Sequence, residues 1–330
     1  MAAVAVIAGL ALMAVLHELG HAAVARLLRL QVTLVSFGLG PPLFRRRLGA
    51  TQVWIAPIPL GGFVRVAGLG DEPGPRPSHA AQLAVTLGGA AANYVVAAAL
   101  GVALSLGWGN ETGRVVGLEV TAVSAHAASQ GLRVADVVTT ADDAAIASVE
   151  ELRARLRAAS PRPVRLELLR DGATVAVEVS PEDPTRPGLG ARYVPRPELQ
   201  RRSPAAAVGS GLVEPLRTSA GLLARAGRMV MPGSGQRPVS AVGLAVRVEK
   251  SGRWDARRVL SFAALLSVIV GLFNLLPIPG LDGGRACLIV GESLSRRPLQ
   301  GRVATVVQIA GALVLLAVWL VLIALDLLGG

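Results

Sequence analysis

The stretch AVLHELGHAAVA, Ala14 to Ala25, decides how the rest of the chain is read. It closes an apolar run that begins at Ala2 and carries no ionisable side chain before His17. Ionisable groups inside such a run cost several kcal/mol each unless something satisfies them. His17, Glu18 and His21 fit the pattern H-E-x-x-H. A spacing of four puts the two histidines on one helical face, one turn apart. Two imidazoles so placed can share a zinc ion, and a glutamate beside the first can act as general base for the water that such an ion activates. A pair of satisfied core histidines is the plain alternative, and the apolar setting argues against it.

Composition widens the picture. The chain has 330 residues, of which 52% are hydrophobic and only 17% charged. Soluble domains carry roughly 25% charged residues, so the balance points to a membrane protein with polar insertions. The net charge is +11, nearly all of it from arginine. No basic stripe interleaves with aromatics, which make up 3% of the chain, and nucleic acid is therefore not an expected partner. Cys287 is the only cysteine. An internal disulfide and a cysteine-rich zinc site are both excluded, and a metal must be held by His, Asp or Glu.

Four runs are long and apolar enough to cross a bilayer: about 2–25, 83–108, 259–276 and 303–325. The first lacks the basic start and cleavage site of a secretory signal peptide. Arginines crowd two short loops, Arg26 to Arg76 between runs one and two, and Arg285 to Arg302 between runs three and four. The positive-inside rule puts both loops in the cytoplasm, with the N-terminus, region 109–257 and the C-terminal tail on the other side. Residues 1–108 then form an N-terminal membrane part. Residues 114–181 read as a small α+β domain: SVEELRARLRAA carries a capping box at Ser148 and Glu151, and VRLELLRDGATVAVEVS alternates around Asp171-Gly172, a hairpin signal. Residues 182–257 read as a linker followed by an amphipathic stretch on the membrane surface. Residues 258–330 form the C-terminal membrane part. A β-hairpin is expected at about 51–68, from the alternation in PLGGFVRVAG.

A catalytic zinc usually takes three protein ligands and a water. The third is sought in NLLPIPGLDGG, 274–284, where Pro277, Pro279 and Gly280 break the third run just before Asp282. His17 lies about 22 Å along the first helix at ~1.5 Å per residue, which brings it to the depth that Asp282 reaches from the opposite side. Asn274 is a hydrogen-bond donor for substrate or a helix–helix contact, and Asn93 is a lone amide in an apolar helix. His79 and His126 read as ordinary surface histidines.

HELGH on the first run together with N-x-x-P-x-P-x-L-D-G-G on the third resembles the site-2 protease family of intramembrane zinc metalloproteases, and the order of parts is similar to the bacterial members with a single PDZ domain. GGFVRV at 61–66 resembles the family's membrane-associated β-hairpin, GAAAN at 89–93 its element on the second span, and RPVSAVGLA at 237–245 its segment after the PDZ domain. Ala90, Arg237 and Ala135 depart from the family pattern. The resemblance implies a polytopic α-helical membrane protein with about four transmembrane helices, the hairpin and an inserted α+β PDZ-like domain. It implies one zinc per chain on His17, His21 and Asp282, with Glu18 as catalytic base. Asn274, Gly61, Gly62, Phe63, Val64 and Asn93 are then substrate contacts. It further implies residence in the bacterial inner membrane, single-span membrane proteins as substrates in regulated intramembrane proteolysis, and an upstream site-1-type protease as partner; a size gate that admits trimmed substrates is the expected role of the PDZ-like domain. A non-catalytic PDZ adaptor is the rival reading; an intact Glu18 argues against it.

Overall fold

A computed structural model of the chain describes residues 2–70, 72–181, 188–201, 203–230, 255–295 and scattered positions between 306 and 321. They divide into two compact units, the first from residues 1–103, 208–244 and 260–330, the second from 104–207 and 245–259.

The first unit is built on helices. α1 spans Ala2–Leu27 and ends in a Schellman motif: Arg29 takes φ 58, its N–H donates to the Arg26 carbonyl, and the Leu30 N–H reaches back to Ala25. The turn points the chain into a four-stranded sheet: β1 (Val32–Leu39), β2 (Phe44–Leu48), β3 (Thr51–Ile55) and β4 (Ile58–Val66), in the order β2-β3-β1-β4. This corrects the expected hairpin. The strands within 51–68 do not pair with each other, because β1 lies between them, parallel to β3 and antiparallel to β4. Half of the sheet comes from residues 32–48, where the sequence shows short mixed runs instead of clean alternation. One sheet face is apolar, and its Val35 and Val66 pack with Ala22 and Ala25 of α1 and Val85 of the next helix.

That helix is α2 (His79–Gly107). It crosses α1 closely: a Cβ on Gly88 would lie 2.9 Å from Val24 and 3.0 Å from the Gly20 carbonyl. α5 (Pro204–Val230), expected on the membrane surface, instead runs against α2. Gly211 sits on Gly101, and the Ser219 and Tyr94 hydroxyls are 2.7 Å apart. Small residues at Gly211 and Ser219 permit this approach. α6 (Ala256–Leu275) packs Gly271 on Asn93 and Tyr94 of α2, then breaks at Pro277 to Gly280, and α7 (Asp282–Ser295) follows. Buried Glu292 of α7 is tied by Arg76 at 2.7 Å to the segment that enters α2. Ile7–Leu27, His79–Gly107 and Ala256–Leu275 are long and apolar enough to cross a membrane. Run 303–325 and segment 237–245 lie wholly or mostly outside the described residues; of the former, Gly311 is helical and sits against Pro279.

The second unit is an antiparallel sheet with the helix α4 (Val149–Ala159) packed on it. Its strands are β5 (Asn110–Val123), β6 (Val137–Ala141), β7 (Ala144–Ala145), β8 (Val164–Arg170), β9 (Ala173–Val179) and β10 (Ala191–Gln200), with the short helix α3 (Ala125–Ser129) after β5. The order is β10-β5-β6-β8-β9, with β7 beside β6. Leu118, Leu152, Leu156 and Leu166 lie in its core. The Ser148 hydroxyl caps α4 by accepting from the Glu151 N–H at 3.1 Å, and the Glu151 carboxylate accepts from the Ala147 N–H at 2.9 Å. The β8–β9 turn uses Asp171 and Gly172 at φ 49 and 85, the geometry that Asp-Gly favours. β10 falls in the region read as a linker. It is rich in proline and arginine, and as an edge strand it tolerates both. Burial pushes the Tyr193 hydroxyl on β10 above its ordinary pKa.

Ala135 occupies the left-handed region at φ 76. Next to it Asp136, 1% exposed, receives a fork from Arg170, with Nε on Oδ1 and Nη2 on Oδ2, both at 2.7 Å. The pairing raises the Arg170 pKa above its ordinary value. Arg170→Met leaves a buried carboxylate unpaired and is expected to destabilise this unit by ~3–5 kcal/mol. Ala135→Gly removes the left-handed penalty and is expected to stabilise it by about 1 kcal/mol or less. Hydrogen exchange of the β5, β6 and β8 amides in the full chain reads both.

Candidate metal centre

The groups gathered here come from the two ends of the described chain. α1 presents His17 and His21 from successive turns. Asp282 is the first residue of α7 and is turned inward by the broken segment before it. The Asp282 Oδ2 lies 2.9 Å from His17 Nε2 and 3.2 Å from His21 Nε2, and the two Nε2 atoms are 3.2 Å apart. Tetrahedral ligands at ~2.0–2.1 Å from a zinc ion stand about 3.3–3.4 Å from one another. The three donors are therefore spaced to share one ion. Among the described residues they form the group of His, Cys, Asp or Glu side chains able to do so.

The outer nitrogens of the rings settle which form they take. His21 Nδ1 is 2.7 Å from the Val85 carbonyl of α2, which can only accept. The Gly89 N–H lies 3.3 Å from the same nitrogen; the shorter contact makes Nδ1 the donor. His17 Nδ1 is 3.1 Å from the Asn93 carboxamide oxygen, whose orientation is set by the Asn93 amide donating to the Met13 carbonyl. With both Nδ1 atoms protonated, a neutral ring turns an Nε2 lone pair inward. Two lone pairs and a carboxylate oxygen then face one another in a pocket where His17 is 6% exposed. A divalent cation relieves that repulsion, and the donor set of two imidazoles and a carboxylate suits zinc. The residues present fit the metal.

Glu18 is 8% exposed and follows His17 on α1. Its Cγ lies 2.9 Å from where a side chain on Gly62 of β4 would begin, so the strand can pass over Glu18 because residue 62 is glycine. Gly61 (φ 117), Phe63 and Val64 continue that strand, with Phe63 and Val64 paired to Ser36 and Val35 of β1. Asn274 is half-buried on α6 and gives one amide hydrogen to the Val270 carbonyl of its own helix at 2.9 Å. Asn93 is a correction. It is fully buried and its amide is taken up by His17 and Met13, which leaves it no face for substrate; it orients a histidine instead. His79 lies 4.0 Å from Glu292, and His126 bonds the Ser180 carbonyl; neither belongs to the donor group. Gly89 escaped the sequence reading. A Cβ there would lie 2.6 Å from His17 Nε2 and would also overlap His21 Nε2. The small-residue run of α2 was the legible signal; the part played by the Val85 carbonyl had none.

A family model described as peptidase family M50 matches residues 5–318. The chain belongs to this family, the site-2 proteases. It is 30% identical to zinc metalloprotease Rip1 of Mycobacterium tuberculosis over 88% of this chain and 85% of that protein. It is 26% identical to metalloprotease MmpA of Caulobacter vibrioides over 88% and 86%. The chain is thus a zinc metalloprotease with three helices long and apolar enough to cross a membrane.

Two substitutions probe the centre without touching a donor atom. Asn93→Ala keeps the backbone carbonyl that Ser267 bonds and is expected to weaken zinc binding ~10–100-fold. Gly89→Ala is expected to abolish stoichiometric zinc, because its methyl group collides with both rings. Titration against a chromophoric chelator measures each.

Proposed function

We propose that this protease hydrolyses peptide bonds inside the transmembrane segments of single-span membrane proteins, such as anti-sigma factors or signal-peptide remnants, after an upstream site-1-type protease has trimmed them. His17, His21 and Asp282 would hold one zinc ion. The bound ion supplies the charge that activates water and polarises the scissile carbonyl. Glu18 takes a proton from the attacking water as its oxygen bonds to the carbonyl carbon, then delivers that proton to the leaving nitrogen as the C–N bond breaks. A helical substrate shields its carbonyls and bonds them internally, so it must unwind first. β4 is the terminal strand of its sheet, and its outer edge, along Gly61, Gly62, Phe63 and Val64, would receive the unwound segment as an added strand. That edge runs over Glu18, which would bring the substrate backbone to the base. The second amide hydrogen of Asn274 would serve a substrate carbonyl.

The setting is the bacterial inner membrane, with the N-terminus and the second unit outside the cytoplasm and the metal centre toward it. Arginine-rich loops around 26–76 and 285–302 support that orientation. For the second unit the reading is a PDZ-like filter that admits trimmed substrates.

The observation that carries the proposal is the convergence of the HELGH helix and Asp282, 265 residues from His17, with a buried glutamate beside the donors. Glu18→Gln is expected to keep the metal while cleavage of a single-span reporter falls by about 10²–10⁴-fold. Turnover at the wild-type rate in that variant would remove Glu18 from its role.

A further inference from the structure

Strand β2 reads Phe44-Arg45-Arg46-Arg47-Leu48, and all five residues are exposed. The metal centre uses none of them. Strand alternation puts Phe44 and Leu48 on the same face as Ile55 of β3, and Arg45 and Arg47 on the other face with Trp54. The first of these faces is the one that packs on α1, since Ile55 aligns with Phe37 of β1, which lies against the cluster containing Ala22 and Ala25. Beyond β1 that face lies open among the described residues. Phe44, Leu48 and Ile55 are each about half exposed there, at 53%, 54% and 49%. They form an apolar ledge beside a membrane-spanning helix.

The opposite face is cationic and aromatic. The Arg45 guanidinium stands 5.2 Å from the centre of the Trp54 ring, and Trp54 meets the Phe63 edge at 6.4 Å. Arg47 gives Nε to the Gly49 carbonyl at the hairpin turn. Among the described residues, none of Arg45, Arg46 and Arg47 pairs with a carboxylate, whereas Arg65 on β4 is bound to Glu72. Arg46 shares the apolar face, and its long stem lets the guanidinium reach the rim. An element that is apolar on one side, arginine-rich on the other and carries a tryptophan has the composition of a segment seated at a lipid–water boundary.

We propose that the β2–β3 hairpin docks on the anionic phospholipid headgroups of the bilayer that α1 crosses. Phe44, Leu48 and Ile55 enter the upper acyl region, and Arg45, Arg46 and Arg47 bind headgroup phosphates. The contact anchors the outer edge of the sheet whose opposite edge is β4. The docking stands on the membrane character of the chain alone and does not depend on the cleavage reaction.

The test uses the full chain in phosphatidylcholine nanodiscs doped with equal mole fractions of dibrominated phosphatidylcholine or dibrominated phosphatidylglycerol. The Trp54 signal is the difference between wild type and Trp54→Phe. Dibrominated phosphatidylglycerol is expected to quench it at least about twofold more strongly. Arg45→Gln, Arg46→Gln and Arg47→Gln together are expected to equalise the two lipids, with gel filtration checking the fold. High salt in the wild type, which needs no variant, is expected to reduce the preference. Equal quenching by both lipids overturns the proposal, as does a preference that survives the triple replacement. Quenching by neither lipid also overturns it and points to a soluble acidic partner.

Discussion

Two imidazole lone pairs and a carboxylate oxygen within 3.2 Å of one another repel, and nearly everything in the first unit is arranged to hold them there. In water such groups would separate or take up protons. Here the outer nitrogen of each ring is tied down from α2, by the Val85 carbonyl and by Asn93, so the inner nitrogens stay turned toward Asp282. A cation at the centre removes that repulsion, and for that reason the fold and the metal are one problem.

The constraint reaches outward through contact distances. α2 can lie on the rings because residue 89 has no side chain, and it can approach α1 because of Gly20 and Gly88. Asn93 carries the same contact one step further, to Ser267 of α6. The sheet arrives from the other side and passes over Glu18 at Gly62. Glu292 and Arg76 clamp the far end of α7 to the entrance of α2, which fixes the helix that carries Asp282 at both ends. A catalytic site inside apolar helices thus depends on glycines and amides that do no chemistry themselves.

HELGH and LDGG were legible because ionisable side chains in apolar runs demand a reason, and the spacing of His17 and His21 supplies it. The three apolar helices and the Asp171-Gly172 hairpin were legible for similar reasons of local pattern. The sheet was not. β1 and β2 come from mixed runs whose pairing is decided by what packs on α1, a long-range matter that alternation does not report. β10 was hidden by its prolines, which an edge strand accepts. Asn93 looked like a substrate contact because a lone amide in an apolar helix invites a functional reading; its partner, His17, lies 76 residues away in sequence. Gly89 was legible only as part of the small-residue run of α2; its place against the two rings is a matter of absent volume.

The most direct test of this account is zinc per chain in detergent-purified wild type beside Asp282→Ala. About one zinc in the wild type, lost or sharply weakened in the variant, is the predicted result, since it requires the first helix and the start of α7 to form one site. A well-folded wild type without zinc, or an Asp282→Ala variant that holds zinc as tightly as the wild type, would contradict it.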